Sequence, residues 1–273
     1  MAERCPAKHF VLVHGACHGA WCWYRVVVLL EKHGHKVTAV DLAASGRNVD
    51  RRLEDLRTID DYHQPLYSFL EGLSEEDNRD KVILVGHSMG GYAVSSAMER
   101  FPEKISWGVF VSGFMLGPDL TVDDLSPKLP EPDYYMDSEW KIIQVNEKTQ
   151  THITFGNKYF AANLYQHSPP EDLQLASLLV RPTRFFTDDE SKKQLLVTKE
   201  KYGSVRRAFI VGHAVEERAE MQRWNAEKNP PDMTIEIQGA DHMIMFSKSQ
   251  ELCKFLLEIA QQANEHPRLI FEH

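Results

Sequence analysis

The chain has 273 residues, of which 42% are hydrophobic, and its formal net charge is −9. This length predicts one large domain, or one domain with an insertion, that buries a sizeable core. The negative charge argues against nucleic acid or an anionic membrane as a partner.

The cysteine pattern indicates whether the protein belongs in a reducing or an oxidising compartment. The four cysteines, at positions 5, 17, 22 and 253, show no C-x-x-C spacing, which argues against a zinc knuckle or a redox pair. Scattered thiols suit a reducing compartment. The N-terminus is polar, so no signal peptide is expected, and no apolar run reaches the ~18 residues of a membrane span. These features together predict a cytoplasmic protein.

The first part of the chain alternates apolar strands with amphipathic helices. The strand patterns cover residues 9–15, 36–42, 82–85 and 105–112, and helices are predicted at about 21–32 and 58–73. Thr58 and Asp61 have the spacing of a capping box, and Pro65 is expected to kink the second helix. Residues 77–80 form a polar connector. This alternation predicts a mostly parallel sheet with helices on both faces.

One segment of this alternating region carries a catalytic motif. Residues 86–90 read G-H-S-M-G, follow the apolar strand at 82–85 and precede good helix-forming residues. A G-x-S-x-G sequence between a strand and a helix is typical of a nucleophile elbow, which lifts a serine hydroxyl out at a sharp turn. The glycines are expected where the strand and helix backbones approach too closely for side chains. Ser88 is therefore the predicted nucleophile.

The alternation stops at residue 113 and resumes near residue 189. The segment between is rich in proline and aromatic residues, and it contains a predicted helix opened by Ser168 and ending near Leu179. We predict a lid insertion at 113–188 in a single domain whose core is 1–112 and 189–273. Later predicted elements are helices at about 190–202, 216–227 and from 247–250 onward, strands at 207–212 and 234–237, and a loose tail after residue 263.

A serine hydroxyl needs a base, and a nucleophile elbow of this kind is served by a histidine in a loop after the last strand, late in the chain. His242 occupies that loop, whereas Asp241 beside it is a poor triad acid because neighbouring side chains point apart. Two amides must bind the oxyanion, and we expect them from Met89, after the nucleophile, and from Ala16, after the first strand. No metal site is expected at His14 and His18, whose spacing lacks a metalloprotease glutamate.

The chain resembles the plant branch of the α/β-hydrolases, which holds methylesterases of small hormones, hydroxynitrile lyases and polyneuridine aldehyde esterase. The resemblance lies in HFVLVHGACHGAWCW (9–23), HKVTAVDL (35–42), VGHSMGG (85–91), EKYGSVRRAFI (200–210) and GADHMIMFS (239–247). Within that branch the chain resembles the alkaloid esterase most. The resemblance implies a helical lid over the core sheet, no cofactor, a cytosolic location and, often, a homodimer. It also implies Ser88 as nucleophile, His242 as base, and Ala16 and Met89 as oxyanion amides.

Three positions depart from parts of this family. The lyases carry a threonine after the first-strand histidine and a lysine after the late histidine, where this chain has Gly15 and Met243, which favours an esterase. The family acid is an aspartate shortly after the strand at 207–212, but residues 212–218 contain none and are one residue short. Glu216 or Glu217 could replace it only if the loop reaches His242; otherwise the site is a Ser–His pair.

Three functions compete on these grounds. The first is a serine esterase for the methyl ester of a small, mostly apolar plant metabolite, with an indole alkaloid as the expected class and decarboxylation of the product as a further step. The second is a non-hydrolytic lyase or cyclase that uses His242 for proton transfer, and the third is a hydrolytically weak binding protein. The expected pocket residues are Gly15, Phe114, Tyr134 and Met243, with other aromatic residues of the lid.

Overall fold

The computed structural model describes residues 6–74 and 81–263. The predicted connector at 77–80, the tail after residue 263 and Cys5 lie outside the described residues. None of the described helices is long and apolar enough to cross a membrane.

Outside residues 113–188, the described strands and helices follow the alternating order that the sequence predicts. The strands are β1 His9–Val13, β2 Lys36–Val40, β3 Val82–His87, β4 Ile105–Val111, β5 Glu139–Val145, β6 Lys148–Thr154, β7 Thr183–Phe185, β8 Arg206–Val211 and β9 Met233–Glu236. The α-helices are α1 Tyr24–Lys32, α2 Ile59–Glu71, α3 Gly90–Arg100, α4 Val122–Leu125, α5 Asn157–Tyr159, α6 Pro170–Leu179, α7 Asp189–Gln194, α8 Glu216–Lys228, α9 Ile244–Ser247 and α10 Ser249–Gln262. Short 3-10 turns and a π turn at Phe160–Leu164 join some of them.

The core is a six-stranded sheet in the order β2-β1-β3-β4-β8-β9, and every pair in it is parallel. Successive residues of its central strands belong to opposite faces, so Val11 and Leu84 pack on one side while Leu12 and Val85 pack on the other. Helices α2, α3 and α8 cover the first face, and α1 and α10 cover the second. The predicted parallel sheet with helices on both faces is confirmed.

The segment between β4 and α7 contains strands as well as helices. Strands β5, β6 and β7 form a separate antiparallel sheet. The β5–β6 hairpin turns at Asn146 and Glu147, whose φ angles of 49° and 65° suit a two-residue turn with left-handed residues. Helix α6 agrees with the helix predicted through Leu179. The expectation of a helical lid missed this small sheet, because β5 is mostly exposed and lacks an apolar alternation.

One predicted helix is shorter in the structure, whereas the last helix starts within its predicted range. The helix expected at 190–202 ends at Gln194, because Thr198 is held by the carboxylate of Glu99 on α3, with its amide 2.8 Å and its hydroxyl 3.0 Å from the two oxygens. The last helix begins at Ser249, after the short α9. The capping box at Thr58 and Asp61 is present as predicted.

Candidate active site

Ser88 lies at a sharp turn between β3 and α3. Its φ of 52° is in the left-handed region, which is strained for a residue other than glycine and is typical of a nucleophile elbow. A Cβ at Gly86 would lie 2.6 Å from the carbonyl oxygen of Gly90, and a Cβ at Gly90 would lie 2.6 Å from that of His14. The two glycines of the motif are therefore needed for close backbone approach, as the sequence predicts.

The loop after β1 is fixed by two histidines. The His14 ring donates from Nδ1 to the carbonyl oxygen of Gly15 at 2.8 Å and accepts the amide N–H of Leu42 at 3.1 Å. The His18 ring donates from Nδ1 to the carbonyl oxygen of Ala16 at 2.8 Å, and Tyr165 donates to its other nitrogen at 2.7 Å. These bonds tie the loop to the core and to the segment between β4 and α7.

Two amides beside Ser88 remain available for a ligand. Among the described residues, no hydrogen bond uses the N–H of Ala16 or of Met89, and both residues line the same cavity as Ser88. Met89 also immediately precedes α3, whose N-terminal dipole favours negative charge. This arrangement suits an oxyanion that develops on a substrate carbonyl.

His242 follows β9 and lines the cavity with Ser88. Its main-chain oxygen accepts a hydrogen bond from Nε2 of His87 at 3.0 Å, which holds the loop against the end of β3. The His242 ring lies 4.7 Å from the His87 ring and 5.2 Å from the His213 ring, measured between centroids. Its Nδ1 atom is buried and, among the described residues, has no hydrogen-bond partner.

The electrostatic surroundings keep His242 neutral near pH 7. Burial lowers the pKa of His242 well below its ordinary value, and His87, His213, His18 and Arg218 lower it further because they face the ring with positive or potentially positive groups. A neutral imidazole carries a lone pair and can accept a proton, but a low pKa makes it a weak base. The site therefore has a base whose protonated form is poorly stabilised.

The carboxylates near this site do not reach His242. Glu216 is exposed and pairs with Arg223, and Glu217 is exposed on the same turn of α8. Asp241 is buried, but its carboxylate accepts the N–H of His167 at 3.0 Å, the hydroxyl of Ser168 at 2.7 Å and the N–H of Met243 at 3.0 Å. The structure therefore does not bring either predicted glutamate to the base, and Asp241 instead anchors the segment before α6.

His213 is the side chain of the loop after β8 that faces His242, and sequence reasoning missed it. The N–H of Val215 donates to Nδ1 of His213 at 3.0 Å, so the proton of the neutral ring is on Nε2. Burial and the charge of Arg218 lower the pKa of His213 to about 4. A neutral ring with this tautomer cannot stabilise a protonated His242 as a carboxylate would. The missing aspartate was the signal in the sequence, but it did not identify the residue that replaces it.

The cavity around Ser88 has mostly apolar and aromatic walls. Of the predicted pocket residues, Phe114, Tyr134 and Met243 line it. Gly15 does not: a Cβ there would lie 2.9 Å from the Cβ of Ser88, so Gly15 packs against the nucleophile instead. A pocket role for Gly15 stays a prediction. Further aromatic residues of the wall are Tyr92, Tyr135, Phe155, Tyr159, Phe185 and Phe186.

Comparisons with known proteins agree with this geometry. The model of the alpha/beta hydrolase family matches residues 10–255. Methyl jasmonate esterase 1 of Vitis vinifera is 48% identical over 93% of this chain and 97% of its own. The crystal structure of tomato methylketone synthase I complexed with 2-tridecanone is 41% identical, with a TM-score of 0.85 over 94% of this chain and 99% of its own.

A second solved structure, that of polyneuridine aldehyde esterase, is 40% identical, with a TM-score of 0.85 over 93% of this chain and 99% of its own. These similarities extend over nearly the whole chain, and they agree with the family match and with the observed fold. The chain therefore belongs to the alpha/beta hydrolase family, among its plant methylesterases and esterases.

Proposed function

We propose that this chain hydrolyses the methyl ester of a small, mostly apolar plant metabolite, with Ser88 as nucleophile and His242 as general base. The observation that carries the proposal is one cavity lined by Ser88, His242, Ala16 and Met89, with the last two amides unbonded among the described residues. This set supplies the groups that acyl transfer needs.

The reaction follows from these groups. His242 accepts the proton of Ser88 as its oxygen attacks the ester carbonyl, and the amides of Ala16 and Met89 bind the resulting oxyanion. When the intermediate collapses, His242 returns the proton to the methoxy group, methanol leaves and an acyl-enzyme remains. Water, deprotonated by His242, then attacks the acyl carbonyl and releases the acid and the free serine.

Within this class we propose an indole alkaloid ester as substrate. The proposal is supported by the aromatic wall, whose rings offer flat apolar surface to a fused ring system, and by similarity to polyneuridine aldehyde esterase. An acid product with a ketone or aldehyde carbonyl β to its carboxyl group would then lose carbon dioxide, with the proton returning to the α carbon.

A second function is favoured because Nδ1 of His242 has no hydrogen-bond partner among the described residues. Without a carboxylate partner this ring is a weak base, which suits proton transfer to or from an activated carbon acid better than deprotonation of a serine. A lyase or cyclase acting in the same cavity is therefore the alternative, and similarity to methylketone synthase I supports keeping it.

The test is incubation with a panel of methyl-ester alkaloids and methyl esters of smaller aromatic and aliphatic acids, assayed for methanol and for product mass. Hydrolysis releases one methanol for each acid formed, or for each decarboxylated product. Product formation without methanol would support the alternative.

We also propose that the protein is a homodimer and is cytoplasmic. Light scattering tests the homodimer, and imaging of a tagged protein tests the location.

A further inference from the structure

The cavity contains an unbalanced positive charge. Among the residues that line it in the described part of the chain, Arg218 is the permanently charged one, and none is a carboxylate. The lining histidines are neutral near pH 7, because burial lowers the pKa of His18 to about 4, of His87 to about 3 and of His213 to about 4. At neutral pH the cavity therefore carries a net positive charge.

Arg218 has few partners for its five N–H donors. One terminal nitrogen donates to the carbonyl oxygen of Lys128 at 3.2 Å, and Nε is buried without a partner among the described residues. Within the same part of the chain no carboxylate pairs with it, because Glu216 pairs with Arg223 and Glu217 is exposed. A partly buried guanidinium without a counter-ion is costly unless a ligand supplies one.

Tyr134 stands beside this guanidinium. The carbon at the centre of the Arg218 guanidinium lies 4.9 Å from the centroid of the Tyr134 ring. The Tyr134 hydroxyl is buried close enough to Arg218 for the guanidinium to lower its pKa against the effect of burial, and its O–H has no acceptor among the described residues. Both residues line the cavity, which therefore offers unused hydrogen-bond donors next to a positive charge.

We propose that Arg218 and Tyr134 form an anion subsite in the catalytic cavity, and that this subsite binds the carboxylate of a small apolar acid. A carboxylate fits because a guanidinium can donate two parallel hydrogen bonds to it and a phenol can donate a third. The remainder of the acid would contact the aromatic wall.

The carboxylate could come from two sources. It could be the acid product of ester hydrolysis, which would then be retained and inhibit the enzyme, or a second acidic group on the substrate. The second source rests on the proposed esterase function, whereas carboxylate binding itself does not. Binding measurements therefore separate failure of the subsite from failure of the proposed function.

The first experiment measures the dissociation constants of benzoate, phenylacetate and 3-phenylpropanoate and of their neutral primary amides by titration calorimetry. The wild-type protein is expected to bind each carboxylate about tenfold or more tightly than the amide of the same shape. Arg218→Gln should lose this preference, whereas Arg218→Lys should keep part of it because the charge remains. Arg223→Gln is the matched control, since Arg223 is on the same helix but pairs with Glu216 and Glu236 outside the cavity.

The second experiment identifies the source. Monomethyl and dimethyl esters of the same aromatic dicarboxylic acid are compared as substrates, and the free monoacids are tested as inhibitors. If Arg218→Gln lowers kcat/KM for the monomethyl ester relative to the dimethyl ester, the subsite binds a substrate carboxylate. If it weakens inhibition by monoacids alone, the subsite holds the product. Thermal unfolding and circular dichroism check that each variant is folded.

Two results would overturn the proposal. One is a wild-type protein that binds amides as tightly as carboxylates. The other is a folded Arg218→Gln variant that keeps the wild-type preference, whatever Arg223→Gln does; loss in Arg223→Gln alone would assign the preference to surface charge.

Discussion

Replacing His213 with aspartate should turn a weak catalytic site into a stronger one. His213 stands next to the base and cannot stabilise its protonated form, since its own ring is neutral. A carboxylate there would face His242, whose Nδ1 is bare, and the N–H of Val215 that now bonds the imidazole could bond an aspartate oxygen. The change therefore restores the missing acid at the position that the structure identifies.

The size of the effect follows from the ring separation of 5.2 Å. A carboxylate about 5 Å from a protonated His242 attracts it by about 3 kcal/mol at an effective dielectric constant of about 20. Because about 1.4 kcal/mol equals one pKa unit and one decade in rate, we expect the pKa of His242 to rise by about 2 units and kcat/KM to rise about 10²-fold. The known loss of about 10⁴-fold on disabling a triad aspartate sets the upper bound.

The assay is methanol release from a methyl ester as a function of pH. The rate requires neutral His242, so a higher pKa moves the acidic limb of the profile to higher pH by the same amount. His213→Asn is the control, because asparagine has the shape of aspartate and a hydrogen-bond acceptor but no charge. It should leave the acidic limb of the profile near its wild-type position. The shifted limb would distinguish an electrostatic role from a structural one.

Equal rates and equal pH limbs in folded His213→Asp and His213→Asn would refute this reasoning. That outcome would mean that the absent carboxylate does not limit the reaction. It would also favour the non-hydrolytic alternative, in which a weak base is sufficient.

The remaining predictions concern the nucleophile, the base, the rejected acids and the buried histidines. Ser88→Ala should abolish methanol release without unfolding the protein, and retained hydrolysis would remove the serine mechanism. His242→Ala should cost at least about 10³-fold, because an unassisted serine is not activated near neutral pH; a smaller loss would remove its role as base. Glu216→Gln and Glu217→Gln should each change kcat/KM less than twofold, whereas a loss near 10⁴-fold in either would make that glutamate the acid. Burial lowers the pKa of His18 and His213 to about 4 and of His63 and His87 to about 3, so the unfolded chain binds more protons below pH 6.5. The free energy of unfolding should therefore fall as the pH drops from about 6.5 toward 4, by up to about 1.4 kcal/mol per pH unit for each histidine, and urea titrations would show no such fall if the rings titrate normally.

The elbow and the core sheet could be predicted from the sequence because their signals are local. The apolar strand before Ser88, the glycines at its sides and the helix after it lie within twenty residues. The capping box at Thr58 is equally local and is present. Backbone sterics and side-chain periodicity are enough to define such elements.

Other features depend on contacts between distant residues. The helix expected at 190–202 ends at Gln194, because Thr198 bonds Glu99 about a hundred residues earlier in the chain. Strand β5 is mostly exposed and is held by its pairing with β6, so it has little apolar pattern to detect. The packing of Gly15 against the nucleophile likewise depends on how the loop after β1 meets the elbow.

The surroundings of His242 are a further feature that could not be predicted from the sequence. The sequence indicates that an acid is missing after β8, but it does not indicate that the His213 ring faces His242 or that Val215 determines its tautomer. Likewise, the sequence of α8 does not indicate that Arg218 lines the cavity, which becomes visible only in the fold. Both contacts depend on how α8 and its preceding loop lie against the sheet.

The serine mechanism requires a covalent acyl intermediate on Ser88, which rapid-quench intact-protein mass spectrometry detects. The wild-type protein mixed with a methyl ester that it turns over should gain the mass of the substrate minus methanol. Peptide mapping should place that mass on Ser88, and Ser88→Ala should gain none. Turnover of the same ester by Ser88→Ala at the wild-type rate, with no adduct on either protein, would rule out Ser88 as the nucleophile.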